Sequence, residues 1–374
     1  MNSNYYFSVN KKKWSIKPIE ERKVNKLIQD LNISDLLARL ICSRGITTDK
    51  AEDFINPSLR NQLPSPMLLK DMDLAVDRIS KAFINKEKIA IFGDYDVDGA
   101  TSSAVLYKSF KLFGNEPIIY IPDRIKEGYG PNIDALKVLQ DQGVTLVITV
   151  DCGMTAFKEL DYAKDISLDI IVVDHHAPEA KLPSAIAVIN PNRIDDNTGL
   201  GMLAAVGVSF MLVGALKSKL VEIKFIDESN IPNLSFLLDL VALGTICDVV
   251  PLVGANRALV KQGLRVMSKR QNNGINALFE VSEIDDMPSV FHAGFLLGPR
   301  INAGGRVGKS GLGAKLLTTD DISEAKEISF HLNGLNEERK QLEASVLDQA
   351  KNLVLGHESD EILVLSSKNW HPGV

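Results

Sequence analysis

Cysteine is scarce in this 374-residue chain. Cys42, Cys152 and Cys247 stand far apart with no CxxC spacing, which argues against a disulfide framework and a zinc knuckle and leaves small buried thiols. Long hydrophobic runs are lacking too: nothing approaches roughly 18 uninterrupted apolar residues, and the amino-terminal "MNSNYYFSVNKKKW" has no apolar core behind its charges. Neither a membrane span nor a secretory leader is indicated, and the expected location is the cytoplasm. Positive charge is not in excess. A net charge of -6 and a pI near 5.6 argue against non-specific coating of nucleic acid, although a local basic groove or bound metals could still receive a phosphate. What remains is ordinary globular material, 45% hydrophobic and 24% charged, with length for two or three domains.

Residues 1 to about 85 read as a polar helical extension, with Ser34 an N-cap before "DLLARLI" and "TTDKAEDFI" a second helix start. From Ile89 the pattern changes to short β-branched runs between longer helical stretches: "KIAIFGD", "PIIYIP", "TLVITVD", "DIIVVD" and "AIAVIN". Strands that are apolar throughout belong to a parallel sheet covered on both faces, so the expected fold is α/β and doubly wound. Ligands of such sheets lie beyond the carboxyl ends of the strands, and here three strands end in acid: Asp94, Asp151 and Asp174, the last leading into His175 and His176. One strand-end Asp is a weak signal because Asp caps helices; three in one sheet are harder to dismiss.

The first of these ends is the densest. "GDYDVDG" sets Asp94, Asp96 and Asp98 at alternate positions between Gly93 and Gly99. Carboxylates this crowded raise one another's pKa unless a cation holds them, which points to a metal. Farther on, "SFLLDLVALGTICDVVPL" reads as a buried helix that runs out at Asp248. A carboxylate among apolar neighbours needs an arginine, a backbone cap or a metal, and the metal is favoured. Carboxylates with one or two imidazoles suit Mn²⁺-like cations, and two such ions can drive in-line attack on phosphorus while stabilising the charge that develops. Between Thr318 and about Leu355 the chain is rich in helix formers and free of proline, enough for a connecting helix of several tens of Å. "EILVLSS" then reads as the first strand of a further domain, and the expectation is that the sequence is a fragment with that domain unfinished.

Six motifs in order, "GDYDVDG" (93–99), "DCG" (151–153), "DHH" (174–176), "CDVVPL" (247–252), "GPRINAGGR" (298–306) and "WHPGV" (370–374), resemble the DHH phosphoesterase superfamily, and within it the RecJ branch of bacterial single-strand-specific 5′-to-3′ DNA exonucleases. The resemblance implies a DHH domain over 86–317, a connecting helix over 318–356, and the start of a DHHA1-like α/β domain over 357–374, with 1–85 as an extension. It implies two manganese ions, magnesium able to substitute, with Asp151 bridging, Asp94 and Asp96 towards the first ion, and Asp98, His175 and Asp248 towards the second. His176 would touch the substrate phosphate or orient a ligand. Asp96, Asp98, Asp151, His175, His176 and Asp248 form the implied catalytic set. The implied partners are single-stranded DNA, a single-strand-binding protein and a helicase, with no membrane and a monomeric protein, working in DNA repair and recombination.

In "GPRINAGGR" the glycines at 298, 304 and 305 would let backbone approach a ligand, while Arg300, Arg306 and Asn302 offer donors to phosphate. Trp370 could stack on a base across an interdomain groove and His371 could reach a phosphate, or the tail could fray. Several of these residues also have purely structural uses. Asp94 or Asp98 could cap the helix beginning near Ala100, His175 could be a buried hydrogen-bonded histidine, and "GPRINAGGR" alone would read as a glycine-rich turn with solvated arginines. Cys152 and Cys247 are expected to fill space, since oxygen-loving metals do not recruit thiols. At the level of function, the exonuclease competes with a phosphoesterase of dinucleotides, cyclic dinucleotides or pyrophosphate, and with a non-catalytic replication scaffold.

Overall fold

The structure is a computed structural model that describes residues 5–373 except 16, 125, 232, 356–361 and 372. It divides into two compact units, Met1–Leu63 and Pro64–Val374. The first opens with an antiparallel hairpin, β1 (Tyr5–Phe7) with β2 (Lys13–Ser15), in a stretch whose sequence reads as part of a helical extension. Its turn places Lys11 at φ 56°. Helices α1 (Glu21–Leu31), α2 (Asp35–Ser43) and α3 (Ala51–Ile55) follow, joined by a core that includes Val24, Leu27, Ile41 and Ala51, and then the short α4 (Leu59–Gln62). Ser34 caps α2 as its position suggests, its hydroxyl accepting from the Leu37 amide at 3.3 Å.

The second unit runs α5 (Met72–Ile84), β3 (Lys88–Gly93), α6 (Val97–Phe113), β4 (Ile118–Tyr120), α7 (Ile133–Asp141), β5 (Val144–Val150), α8 (Phe157–Asp165), β6 (Asp169–Val173) and β7 (Ala187–Ile189). The five strands form one parallel sheet in the order β4-β3-β5-β6-β7. The doubly wound expectation is met. Alternate residues go to opposite faces: Ala90, Phe92, Val147, Ile170 and Val172 join a core closed by α7 and α8, while α5, α6 and α9 (Ala205–Glu222) cover the other face. Each large side chain buried in this way contributes about 1.5–3 kcal/mol. The expected extension runs to residue 85, whereas the division by contacts falls at Leu63/Pro64, because α5 buries Val76, Ile79 and Phe83 and packs on β7 and α9.

Helices α10 (Leu238–Cys247), α11 (Gly254–Met267) and α12 (Asn273–Val281) lead to a π-helical turn (His292–Leu297) that continues into α13 (Gly298–Val307). Then come α14 (Leu312–Thr318) and the long α15 (Ile322–Val354), capped by Asp321, whose side chain accepts from Ser323 and Glu324. One alternative and one expectation are settled here. The alternative reading of "GPRINAGGR" as a glycine-rich turn gives way to a helix, in which a Cβ at Gly305 would come within 2.7 Å of the Tyr95 ring and one at Gly298 within 2.5 Å of Cys247 Sγ. Residues 362–367 of "EILVLSS" form no strand; no strand pairs with them among the described residues, and Val364 is 90% exposed. Glu361 lies outside the described residues, as do Pro372 and Val374 of "WHPGV".

Candidate metal centre

Strand order reverses at β3, whose neighbours β4 and β5 lie on opposite sides, so the crevice between the carboxyl ends of β3 and β5 is the switch point where doubly wound sheets take ligands. Asp94 leaves β3 there and Asp151 leaves β5. Both are buried, at 4% and 2% exposure. The turn after β3 is tight enough that a Cβ at Gly99 would collide with the Asp94 carbonyl. It delivers Asp96 as the N-cap of α6, its carboxylate accepting from the Gly99 amide at 3.0 Å. The cap that the sequence leaves open between Asp94 and Asp98 therefore falls to Asp96, and α6 begins at Val97.

Asp98, in the first turn of α6, is 1% exposed and accepts from the first amides of α9, Ala205 at 2.7 Å and Val206 at 2.9 Å. Burial, with Asp248 and Asp96 nearby, still holds its carboxyl well above the ordinary range. Asp151 is more exceptional. Its φ of 61° is left-handed, a conformation that costs a non-glycine residue about 1–3 kcal/mol and is stored at functional sites. The Tyr129 hydroxyl holds the turn, donating to the Asp151 carbonyl at 3.0 Å. Burial and the neighbouring acids, Asp98 first among them, push the Asp151 carboxyl far up. Burial and Asp96 raise Asp94 and Asp248 to about 7.

His175 faces this cluster, its Nε2 standing 3.3 Å from Asp151, 3.6 Å from Asp248 and 3.8 Å from Asp98. Burial lowers its pKa, which favours the unprotonated imidazole that a cation needs. Asp94 Oδ1, Asp151 Oδ1, Asp248 Oδ2 and His175 Nε2 are all buried without a hydrogen-bond partner. Unpaired buried polar atoms are costly, and four that converge fit a cation shell. The donors fall into three overlapping groups, Asp94–Asp96–Asp151, Asp151–His175–His176 and Asp98–His175–Asp248, each with ligand atoms within 4.8 Å of one another. Asp151 joins the first two groups and His175 the last two. Oxygen donors with imidazole suit manganese or magnesium.

Asp174, at the end of β6, behaves oppositely. Burial works to raise it, yet its pKa is lowered, because it accepts from the Met154, His175 and His176 amides at 3.1, 2.7 and 3.1 Å and from His176 Nδ1 at 2.7 Å. In return His176, 48% exposed at its side chain, is raised to about 9 by Asp174. Asn190 and Asn192, just past β7, bond the carbonyls of His176 (2.9 Å) and His175 (2.5 Å) and hold the histidine turn. The sequence marks the strand end at Asp174, but the expected site includes neither that residue nor Tyr129 nor the two asparagines; "AVINPN" leaving a strand is the available signal for the asparagines.

The expected substrate-side residues are divided. Asn302 lies at the centre, its Oδ1 accepting from the Val97 amide at 3.1 Å. Arg306 donates to the Gly373 carbonyl at 3.0 Å and lines a cavity of about 340 Å³ with Pro299, Asn302, Arg339 and Glu343. Arg300 instead bonds Asn333 on α15 (2.9 Å) and the Leu296 carbonyl (2.7 Å). Trp370 donates to Gln349 on α15 at 3.1 Å, and His371 Nδ1 accepts from the Gly373 amide at 3.0 Å. Cys152 is buried and Cys247 packs on Ala293 at 3.4 Å, both space-filling with raised pKa.

A parallel sheet that gathers acids and a histidine pair beyond its carboxyl ends is the architecture of the DHH proteins, and the signature of the DHH family's N-terminal domain matches residues 88–245. The chain is 36% identical over 366 residues, 97% of its length and 45% of the relative's, to the single-stranded-DNA-specific exonuclease RecJ of Bacillus subtilis (strain 168). It is 38% identical over 349 residues, 91% and 60% of the two lengths, to that of Escherichia coli (strain K12). A crystal structure of exonuclease RecJ bound to manganese superposes with a TM-score of 0.72 at 32% identity, over 83% of this chain and 76% of that one. RecJ of Thermus thermophilus in complex with Mn²⁺ gives a TM-score of 0.78 at 29% identity, over 95% and 49%. The chain belongs to the DHH family, in its RecJ branch. It spans about half the length of the curated relatives it matches. Among the described residues no helix is long and apolar enough to cross a membrane.

Proposed function

We propose that this chain is a metal-dependent phosphodiesterase that removes 5′-mononucleotides from the 5′ end of single-stranded DNA. The observation that carries the reading is the convergence of buried, unpartnered donor atoms from Asp94, Asp151, Asp248 and His175 at the sheet's switch point. Asp94, Asp96 and Asp151 would hold one divalent cation, and Asp98, Asp151, His175 and Asp248 the other. Such a cation pair supplies an acidified water and neutralises charge on the phosphoryl oxygens, and manganese suits the donors, with magnesium a substitute. The protein's own groups complete the site. His176, kept protonated by Asp174 and half exposed, donates towards the phosphoryl group or the departing 3′ oxygen. Arg306 and Asn302 receive the strand, a forked guanidinium being suited to phosphate oxygens.

The relatives' names support a single-stranded-DNA substrate by kinship, the manganese in their solved structures supports the metal, and the polarity rests on the motif resemblance. From the motif resemblance we further assign a catalytic domain to 86–317, a connecting helix to 318–356 and a second-domain segment to 357–374. A monomer in the cytoplasm, working with a single-strand-binding protein and a helicase, completes the proposal. Digestion of end-labelled oligonucleotides with Mn²⁺ tests it. A 5′-labelled single strand is expected to release labelled mononucleotide at once and a 3′-labelled one to shorten progressively, with blunt duplex resistant; labelled fragments of intermediate length from the 5′-labelled strand would overturn the polarity.

A further inference from the structure

The π-helical turn His292–Leu297, with the residue that leads into it, carries two exposed aromatic rings, Phe291 at 57% and Phe295 at 69% exposure. They are stacked on each other, ring centroids 5.3 Å apart and planes 23° from parallel, so both stand on one face of the helix. The opposite face is anchored: Ala293 and Leu297 are fully buried, and the Ala293 carbonyl receives the thiol of Cys247, the residue before Asp248. The helix continues without a break into α13, where Pro299, Asn302 and Arg306 follow Phe295 by four, seven and eleven residues. At helical period these positions share one face. Its α13 part, Pro299, Asn302 and Arg306, lines the 340 Å³ cavity, with Phe295 one turn before Pro299, and Asn302 touches the first turn of α6 inside the aspartate cluster. A single stripe thus runs from a guanidinium and an amide beside the candidate metal centre to a pair of bare aromatic rings.

We propose that Phe291 and Phe295 form a ledge on which unstacked bases of the single strand lie while its backbone passes Arg306 and Asn302. The proposal rests on the single-strand nuclease reading and adds to it a base-contacting subsite. Water-exposed phenyl rings are unfavourable unless covered, and what reaches this stripe by continuity with the cavity is the substrate. Bases offer flat apolar faces of any sequence, so the ledge would grip the strand without reading it. The π-turn has a purpose in this account, since insertions of this kind concentrate at functional sites.

The test compares a base-bearing oligodeoxynucleotide with one of equal length whose leading nucleotides are abasic, using the wild-type chain and the variants Phe291→Ala, Phe295→Ala and Phe295→Trp. Affinity is read by fluorescence anisotropy without metal, and KM and kcat by digestion with Mn²⁺. Each alanine variant is expected to weaken binding of the base-bearing strand about tenfold, to leave the abasic strand and the Mn²⁺ stoichiometry unchanged, and Phe295→Trp to restore affinity. Equal loss on both strands, or no loss on either, overturns the ledge. So does a concentration-dependent dimer that Phe295→Ala abolishes while oligonucleotide binding stands, since the rings would then cover a second copy. A wild-type chain that prefers base-bearing strands yet cuts none would sink the nuclease reading and leave the ledge in place.

Discussion

The carboxyl ends of β5 and β6 lie side by side in one sheet, and each presents a fully buried aspartate with opposite electrostatics. Asp174 after β6 is saturated with N–H donors and held below the ordinary carboxylate range; Asp151 after β5 has an unpartnered oxygen, a left-handed backbone and a carboxyl pushed far up. Burial is the same for both, so it does not decide the outcome. Hydrogen-bond supply does. An acid the protein has already satisfied can orient a neighbour, whereas one left unsatisfied in a cluster of its own kind waits for a charge the chain does not supply.

Replacing each aspartate by asparagine is the sharpest way to break that contrast, and Asp151→Asn carries the largest expected effect. An amide cannot supply the negative charge of a shared ligand, so activity with Mn²⁺ should fall by on the order of 10³-fold or more. The metal-free variant should melt higher than wild type, because one crowded buried charge has gone. Calorimetry showing wild-type Mn²⁺ affinity with turnover intact would remove Asp151 from the centre.

Asp174→Asn should act through His176 instead. Loss of the anion lets the imidazole fall from about 9 towards its ordinary 6.5, and rates should drop about 10–100-fold as for outer-shell partners of metal sites, with metal stoichiometry retained. NMR titration of the histidine ring checks the shift. Metal lost together with activity would erase the distinction between the two strand ends.

Much of this was legible from the chain. Apolar β-branched runs ending in acid are a direct record of a parallel sheet's chemistry, and Asp248 at the carboxyl end of α10 is a charge that follows an apolar run. What was hidden depends on distant partners. The division of labour between Asp151 and Asp174 is set by amides at Met154, His175 and His176, and Asp98's oxygens are engaged by α9, more than a hundred residues away. Taken alone, "GPRINAGGR" has the glycine content of a turn, yet tertiary packing overrides propensity: those glycines let Tyr95 and Cys247 approach a helix. "EILVLSS" has the composition of a strand, but a strand exists only when another pairs with it.

The pH dependence of stability offers a subtler test. Asp94 and Asp248, raised to about 7, keep protons in the folded chain that the unfolded chain releases above about pH 4. Where the native state binds more protons, stability falls as pH rises. Their contribution is therefore complete below about pH 4 and lost as pH climbs through about 7. His176 has the same sign: its pairing is fully present below its unfolded value of about 6.5 and lost as pH rises through about 9. Divalent cations bind the ionised carboxylates, so the rise in Tm on adding Mn²⁺ should grow by several degrees between pH 5 and pH 8. Melts across that range check it, and an increment that stays flat would mean that protons and cations do not compete for these oxygens.

The smallest expected effect is also the most local. Tyr129 stands between Gly128 and Gly130, both at positive φ, and its hydroxyl bonds the carbonyl of Asp151 at 3.0 Å while its ring edge meets His176 at 6.4 Å and 84°. Tyr129→Phe deletes only the hydroxyl, a hydrogen bond worth about 0.5–1.5 kcal/mol net. The left-handed turn at Asp151 then loses one restraint against a strain of similar size. Mn²⁺ affinity should weaken about threefold to tenfold, while kcat at saturating Mn²⁺ stays near wild type because the ion, once bound, re-imposes the carboxylate's position. Tyr129→Ala should cost more, since the ring contact with His176 goes as well. If Tyr129→Phe lowered kcat at saturating metal and left the Mn²⁺ titration unmoved, the hydroxyl would be acting on the substrate, and the restraint of Asp151 would have to be sought elsewhere in the turn.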